Sequence, residues 1–235
     1  MTTYSLYWVI FIGIAAASWL VQWNLSRKFK KYSKMPLGNG MTGKQVAELM
    51  LRENGINDVQ VTATQGMLTD NYNPGNHTIN LSEGVYASDS VAAAAVAAHE
   101  TGHAIQHAKA YGPLKMRSAL VPVVSFASKW NMWVLLAGMI LLGSDGRAGL
   151  GSTLLLVGIG LFAMTTLFSF ITLPVEIDAS RRALAWLNSA GITNSHNDKA
   201  AKDALKAAAY TYVVAALGSL ATLLYYVMIY FGRRD

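Results

Sequence analysis

Cysteine is absent from the 235-residue chain, and charged residues are scarce. Without cysteine the chain cannot form disulfide bridges, cysteine-ligated zinc fingers, iron–sulfur clusters or a thiol nucleophile. Charged residues make up 14% of the sequence, whereas a typical soluble domain has about 25%. Hydrophobic residues make up 53%, which excludes an intrinsically disordered chain. The five histidines are therefore the only nitrogen side chains that could bind a transition metal.

Four apolar stretches approach the roughly 20 residues that a helix needs to cross a bilayer. They predict transmembrane helices over residues 4–23, 119–142, 148–173 and 209–231. The first stretch has no basic region before it and no small-residue cleavage site, so we expect a membrane anchor rather than a cleaved signal peptide. Only residues 143–147 separate the second and third stretches, which predicts a helical hairpin.

The distribution of lysine and arginine predicts the orientation in the membrane. Residues 24–118 contain ten of them and residues 174–206 contain five, whereas the opposite side would hold Arg147, Arg233 and Arg234. The positive-inside rule therefore predicts that 24–118 and 174–206 face the cytoplasm. Four spans place the basic C-terminal tail outside, against that rule, unless the last stretch inserts only partly. The basic residues flank the apolar stretches without interleaved aromatics, so we expect no nucleic-acid partner.

Residues 24–118 are long enough for a small domain of helices and strands. Thr42 and Gln45 resemble a capping box, and Gly55 is a helix stop, so a helix is predicted between them. Residues 59–62 and 77–81 alternate in the manner of strands. The predicted fold is thus a membrane protein that is mainly α-helical with a small β component.

A further helix is predicted from the serines at 88–90 to about Ala110, and it contains the motif His-Glu-Thr-Gly-His at 99–103. The spacing of four residues places His99 and His103 on one face, so both imidazoles can reach one zinc ion. Glu100 lies beside that face, where it can accept a proton from zinc-activated water. Zinc lowers the pKa of its bound water to about 7, which provides a nucleophile at neutral pH.

A catalytic zinc site needs a third protein ligand. His107 lies about 12 Å along the helix from His99, at ~1.5 Å per residue, which is too far for one metal ion. His77 and His196 lie in polar, turn-rich sequence that is typical of surface residues. Glu176 is the best candidate, because Pro174 is predicted to begin a helix with Glu176 in its first turn.

Small residues share the predicted face of Glu176, namely Ala179, Ser180 and Ala183, and would let this helix approach another closely. The alternative is that Glu176 is only an acidic residue favoured at a helix N-terminus. Asp178 is predicted to lie on another face of the helix.

In these residues the chain resembles the neutral zinc metallopeptidases of bacterial membranes. The resemblance rests on 99–103 together with 173–176, and extends to 68–74 and 208–213. It implies a gluzincin-like metalloprotease domain, and it implies a strand lining the cleft, for which 77–81 is the candidate. Extended substrate would add to that strand.

The chain is more distantly similar to heat-shock-type membrane metalloproteases and CAAX prenyl endopeptidases. Those gluzincins carry a Glu-x-x-Ala-Asp ligand motif, and this chain has Ser180 in place of the Asp. The Asp would orient a ligand histidine. Tyr212 or a residue near His196 could stabilise an oxyanion, but no spacing selects one.

Together these features predict a membrane-embedded zinc metalloprotease, an endopeptidase with one Zn²⁺ per chain. His99, His103 and Glu176 are the expected ligands, and Glu100 is the expected general base. We expect a multi-pass protein of a bacterial plasma membrane, in contact with the lipid bilayer. Its active site should face the cytoplasm and act on peptides or proteins, membrane proteins among them.

Two alternatives remain open, a zinc-binding membrane scaffold or adaptor without hydrolytic activity and a metal transporter. The transporter would need ionisable ligands within the spans, where only Lys129 occurs. The substrate and the oligomeric state are not predicted.

Overall fold

The computed structural model describes residues 3–145 and 149–232 of the chain. The predicted hairpin connection at 143–147 lies partly outside the described residues, and Arg233 and Arg234 lie wholly outside them. The described part is mainly helical with one small sheet, which confirms the predicted fold class.

The described residues form seven helices and three strands. The helices are α1 Thr3–Tyr32, α2 Gly43–Glu53, α3 Glu83–Tyr86, α4 Val91–Ala108, α5 Gly112–Asp145, α6 Leu150–Ser189 and α7 Asp198–Phe231. The strands are β1 Gln60–Thr64, β2 Asn71–Asn73 and β3 Thr78–Ser82.

The chain divides into two compact units, and the helices α1, α5, α6 and α7 contribute residues to both. We call the first the helical unit; it comprises Met1–Leu20, Met116–Leu173 and Tyr212–Asp235. The second, which we call the mixed unit, comprises Val21–Lys115 and Pro174–Thr211.

Four helices of the described chain are long and apolar enough to cross a membrane. These candidate spans are Trp8–Tyr32, Gly112–Leu142, Leu150–Ser189 and Asp198–Phe231. They agree in number and order with the four predicted stretches, although each helix extends further along the chain than its apolar stretch. By length and composition, the chain is therefore a membrane protein.

Small residues allow close helix packing within the helical unit. A Cβ atom on Gly138 of α5 would lie 2.5 Å from the main-chain nitrogen of Leu155 on α6. The hydroxyls of Thr166 and Ser219 form a 2.7 Å hydrogen bond between α6 and α7. Close approach at small residues and hydroxyl bonds between helices are typical of helix packing in membranes.

Pro174 does not begin a helix, and this prediction from the sequence was wrong. It lies inside α6, which runs without a break from Leu150 to Ser189. Proline cannot donate the hydrogen bond to the carbonyl four residues earlier, which disfavours it inside an isolated helix. Val175 and Glu176, the next two residues, are almost fully buried. Packing of the following turns therefore outweighs the local preference for a helix start.

The mixed unit contains the sheet, in the order β1–β3–β2. Strand β3 pairs in parallel with β1, where Val61 faces Ile79, and antiparallel with β2, where Tyr72 faces Ile79. Both predicted strands are present within one or two residues of their predicted bounds. The helices α2 and α4 contribute Val46, Met50 and Val91 to the buried core that also contains Ile79.

The predicted helix boundaries in the mixed unit are confirmed. The capping box is formed, because Thr42 Oγ1 accepts from the Gln45 main chain and the Gln45 side chain accepts from Thr42. Gly55 follows the end of α2 with a φ of +70°, which suits a residue without Cβ. Ser90 caps α4, with its hydroxyl accepting from the Ala93 N–H at 3.2 Å.

Candidate metal centre

The helices α4 and α6 approach each other closely where the candidate ligands lie. The first turns of α4 are rich in alanine, and these small side chains are fully buried in the core. At Gly102 an added Cβ would lie 2.7 Å from the carbonyl oxygen of Ala179 on α6. The absence of a side chain at Gly102 thus allows the backbone of α4 to pack against α6.

This packing brings His99, His103 and Glu176 together. The Nε2 atoms of His99 and His103 lie 3.3 and 3.4 Å from Oε2 of Glu176. One ligand atom from each residue lies within 4.8 Å of the other two, so the group could hold one metal ion. The carboxylate of Glu176 is almost fully buried.

The donor atoms fit zinc. Two imidazole nitrogens and one carboxylate oxygen are typical zinc ligands, and a set of three leaves a position open for water or substrate. The charges of the site also fit a cation. Burial lowers the pKa of His103, but its hydrogen bond to Glu176 and the charges of Glu100 and Glu176 outweigh burial and raise the pKa above its usual value.

Each candidate ligand histidine has a hydrogen-bond partner on its other ring nitrogen. Nδ1 of His99 lies 3.0 Å from the hydroxyl of Ser180, the residue that replaces the Asp of the more distant gluzincins. Nδ1 of His103 lies 3.0 Å from Oε1 of Gln106. Such partners orient metal-binding imidazoles.

Sequence reasoning missed Gln106 and its contact with Asp178. The Gln106 side chain is fully buried and donates to Oδ2 of Asp178 at 2.9 Å. Asp178, which was predicted to lie on another face of α6 from Glu176, thus contacts α4 through Gln106. The position of Gln106 three residues after His103, on the same helix face, was the feature that could have revealed it.

Glu100 is buried beside the ligand group. Its Oε2 atom accepts a hydrogen bond from the main-chain N–H of Tyr72 at 3.0 Å. Tyr72 is the middle residue of β2, which is an edge strand of the sheet. One oxygen of the carboxylate is thus held by the main chain of the neighbouring strand.

The expectation that extended substrate adds to the strand at 77–81 was wrong. Strand β3 covers 78–81 of these positions and is paired on both sides, with β1 and with β2. A strand with both edges paired has no main-chain groups left for an added peptide. The edge strand that contacts Glu100 is β2 instead.

The other three histidines do not belong to the ligand group. Nδ1 of His107 lies 2.8 Å from the hydroxyl of Tyr72. Nδ1 of His77 lies 2.7 Å from Asp58, a hydrogen bond that lowers the pKa of the exposed Asp58 carboxyl. His196 is exposed in the turn before α7. Tyr212 lies in α7, and its role as an oxyanion donor stays a prediction from the sequence.

Comparisons with known proteins also indicate zinc. Residues 7–231 match the family described as "Putative neutral zinc metallopeptidase". The chain is also 43% identical over 228 residues to the "Putative membrane protease YugP" of Bacillus subtilis, across 96% of this chain and 98% of that protein. No solved structure matches the chain significantly. Because the family match covers nearly the whole sequence, the chain belongs to the neutral zinc metallopeptidase family.

Proposed function

We propose that the chain is a membrane-embedded zinc endopeptidase that uses Glu100 as its general base. The observation that carries this proposal is the position of Glu100. Its buried carboxylate adjoins the group formed by His99, His103 and Glu176 but is not one of the three candidate ligands. A zinc-binding scaffold would need no such base and would favour a fourth protein ligand, so the position of Glu100 favours hydrolysis.

His99, His103 and Glu176 would hold one zinc ion per chain. When bound, zinc supplies Lewis acidity, which makes water acidic enough to be a nucleophile near neutral pH. Glu100 receives the proton from water on Oε1, because Oε2 accepts the Tyr72 N–H. Glu100 then delivers this proton to the leaving amine, as a general acid–base group must in amide hydrolysis.

The outer edge of β2 is the proposed binding surface for an extended peptide. The Tyr72 N–H points away from β3, since it donates to Glu100. In an antiparallel pair the carbonyl of the same residue faces the same side, so it can accept from a substrate N–H. Pro74 follows the strand and has no N–H, which limits this surface to a short segment.

The proposed location follows from the charges and the apolar helices. Fifteen of the 19 lysines and arginines lie in 24–118 and 174–206, the ten and the five counted above. This asymmetry supports a plasma-membrane protein whose active site faces the cytoplasm. The proposed substrates are peptides or proteins at that surface, membrane proteins among them.

Replacement of the proposed base tests this function. In Glu100→Gln the amide has nearly the same size as the carboxylate but cannot accept the proton. We expect cleavage of casein or of a detergent-solubilised membrane protein to fall by at least about 10²-fold. Zinc content, measured by elemental analysis of the purified protein, should stay at one per chain.

Glu83→Gln is the matched control, because Glu83 is exposed at the start of α3, and it should leave cleavage unchanged. Glu176→Ala should lose zinc, and o-phenanthroline should abolish cleavage by the parent protein. Undiminished cleavage by Glu100→Gln would refute the role of the base. Normal zinc content in Glu176→Ala would reassign the third ligand.

A further inference from the structure

Gln106 connects a candidate ligand on α4 to the main chain and side chains of α6. Its Nε2 atom lies 2.8 Å from the carbonyl oxygen of Val175 and 2.9 Å from Oδ2 of Asp178. Its Oε1 atom lies 3.0 Å from Nδ1 of His103. The side chain is fully buried, so no water competes for these bonds.

The two partners on α6 determine which way the amide of Gln106 points. The carbonyl of Val175 and the carboxylate of Asp178 can only accept hydrogen bonds, so both must face the NH₂ group of Gln106. The amide oxygen must then face His103. An oxygen accepts only from a protonated nitrogen, so Nδ1 of His103 carries a hydrogen, and Nε2 is the nitrogen that can bind a metal.

Asp178 is itself held in place by two arginines. Its Oδ1 accepts from Arg181 at 2.8 Å and its Oδ2 from Arg182 at 2.6 Å. These charged hydrogen bonds favour the carboxylate form, which has no hydrogen to donate. Asp178 can therefore serve Gln106 only as an acceptor.

His99 lacks a partner of this kind. The hydroxyl of Ser180 beside its Nδ1 can donate or accept, so Ser180 alone does not select a tautomer. Of the two histidines, only His103 has a partner, Gln106, whose amide orientation is determined by residues outside the metal centre. The two candidate ligand histidines thus differ in whether their hydrogen-bond partner selects one tautomer of the ring.

We propose that Asp178 and Gln106 are positioning residues that hold His103 in the Nδ1–H tautomer, the form that binds a metal through Nε2. A chain of hydrogen bonds runs from Arg181 and Arg182 through Asp178 and Gln106 to His103, and we call this chain the relay. This inference rests on the proposed metal site and not on peptidase activity.

Nitrogen-15 NMR of the full-length, zinc-free protein reads the tautomer directly. The chain has only five histidines, and single His→Asn variants assign their signals. At an alkaline pH, where the ring is neutral, Gln106 and Glu176 compete for its one hydrogen. The parent should carry this hydrogen on Nδ1, because the 3.0 Å contact with Gln106 is shorter than the 3.4 Å between Nε2 and Glu176. In Gln106→Met, which removes the acceptor but keeps the side-chain length, His103 should sample both tautomers.

Conservative variants distinguish a positioning role of Gln106 and Asp178 from a role in packing alone. Gln106→Glu still offers an oxygen to Nδ1 and should retain the tautomer, even if its loss of the donor to Asp178 lowers stability. Asp178→Asn keeps an acceptor oxygen and should also retain the tautomer, whereas Asp178→Ala should loosen it. Gln60→Met makes the same chemical change at an exposed position and should have no effect.

Zinc affinity, measured by competition with a chelator, gives a second readout. Loss of an outer partner of a ligand typically weakens metal binding 10- to 100-fold, so we expect about that loss in Gln106→Met and near-parent affinity in Gln106→Glu. An Nε2–H tautomer in the parent, or unchanged tautomer and affinity in Gln106→Met, would overturn the relay. A parent that binds no zinc would overturn the metal site, while the tautomer measurement would still decide the relay.

Discussion

At the scale of single residues, the orientation of Glu100 depends on a short strand. Its carboxylate is held by the N–H of Tyr72 in β2, a strand of three residues. Asp70, the residue before β2, connects this segment by hydrogen bonds to Ser82 at the end of β3. Its carboxylate accepts both the N–H and the hydroxyl of Ser82, at 2.8 and 3.1 Å. The proposed base is thus positioned through a carboxylate that lies outside the candidate ligand group.

Asp70 should give the protein a pH-dependent stability. Burial raises the pKa of the Asp70 carboxyl, although the hydrogen bonds from Ser82 oppose this effect. An acid whose pKa is raised by folding stabilises the fold below its unfolded pKa, about 3.9, and loses that contribution as the pH rises through the folded pKa. In Asp70→Asn this loss cannot occur. The stability of the variant relative to the parent should therefore increase from about pH 4 upwards.

Thermal unfolding of both proteins in detergent, from pH 3 to pH 8, measures this difference. Asp89→Asn is the control, because it makes the same chemical change at an exposed aspartate, which lies in the segment before α4. The substitution also changes the hydrogen bonds to Ser82, and this contribution to stability does not depend on pH. It therefore cancels when the stability difference between variant and parent is compared at two pH values. A constant difference between Asp70→Asn and the parent would contradict the raised pKa.

The residues of the proposed catalytic centre were proposed from the sequence for two different reasons. The histidine spacing is a property of one helix, and Glu176 was selected by the need for a third ligand. Gln106 and Tyr72 could not be predicted in the same way. Each acts through a partner distant in the sequence, 72 residues away for Gln106 and Asp178 and 28 for Tyr72 and Glu100. Only the tertiary fold brings such pairs together.

At the scale of elements, the contact between α4 and α6 brings the candidate ligands together. Two ligands lie on α4 and one on α6, so the distances between them depend on how closely the two helices pack. Gly102 lies between His99 and His103, where an added Cβ would lie 2.7 Å from the main-chain oxygen of Ala179 on α6. A larger residue there would have to move the backbone of α6.

Gly102→Ala should therefore destabilise the protein, although Gly→Ala inside a helix ordinarily stabilises it. The added Cβ would lie 2.7 Å from the main-chain oxygen of Ala179, which cannot move aside as a side chain could. We expect a loss of about 1–3 kcal/mol in the free energy of unfolding, typical of overpacking. Zinc affinity should fall as well, because Glu176 would move away from the histidines.

Gly160→Ala is the matched control for this substitution. Gly160 lies inside α6 and has nothing within 4 Å of its missing Cβ. The ordinary helix preference should then apply, and the melting temperature should stay the same or rise. A Gly102→Ala protein that melts at the parent temperature and binds zinc as tightly would show that α4 and α6 need not pack so closely.

Two elements show where sequence patterns were insufficient. Hydrophobic and polar alternation located β1 and β3, but strand order depends on pairing, so the edge position of β2 was not predicted. The preference of proline for helix starts suggested a boundary at Pro174, yet burial of the turns that follow it makes α6 continuous. Local preferences are weak compared with tertiary packing.

At the scale of the whole molecule, the charge asymmetry and the absence of cysteine allow a direct test of orientation. With no native cysteine, a single introduced thiol is the only group that a maleimide can label. Asn57 and Ser195 are exposed in the mixed unit, and each can be replaced by cysteine without removing a charge. Ser144 lies in the predicted connection at 143–147, on the opposite side of the proposed topology.

In intact cells, a membrane-impermeant maleimide should label Ser144→Cys but not Asn57→Cys or Ser195→Cys. After permeabilisation all three should react. The physical reason is that translocation of the fifteen basic residues in 24–118 and 174–206 is disfavoured relative to the three on the other side. The reverse pattern, with Asn57→Cys and Ser195→Cys labelled in intact cells, would place the proposed active site outside the cytoplasm. Its substrates would then have to be sought among extracytoplasmic proteins.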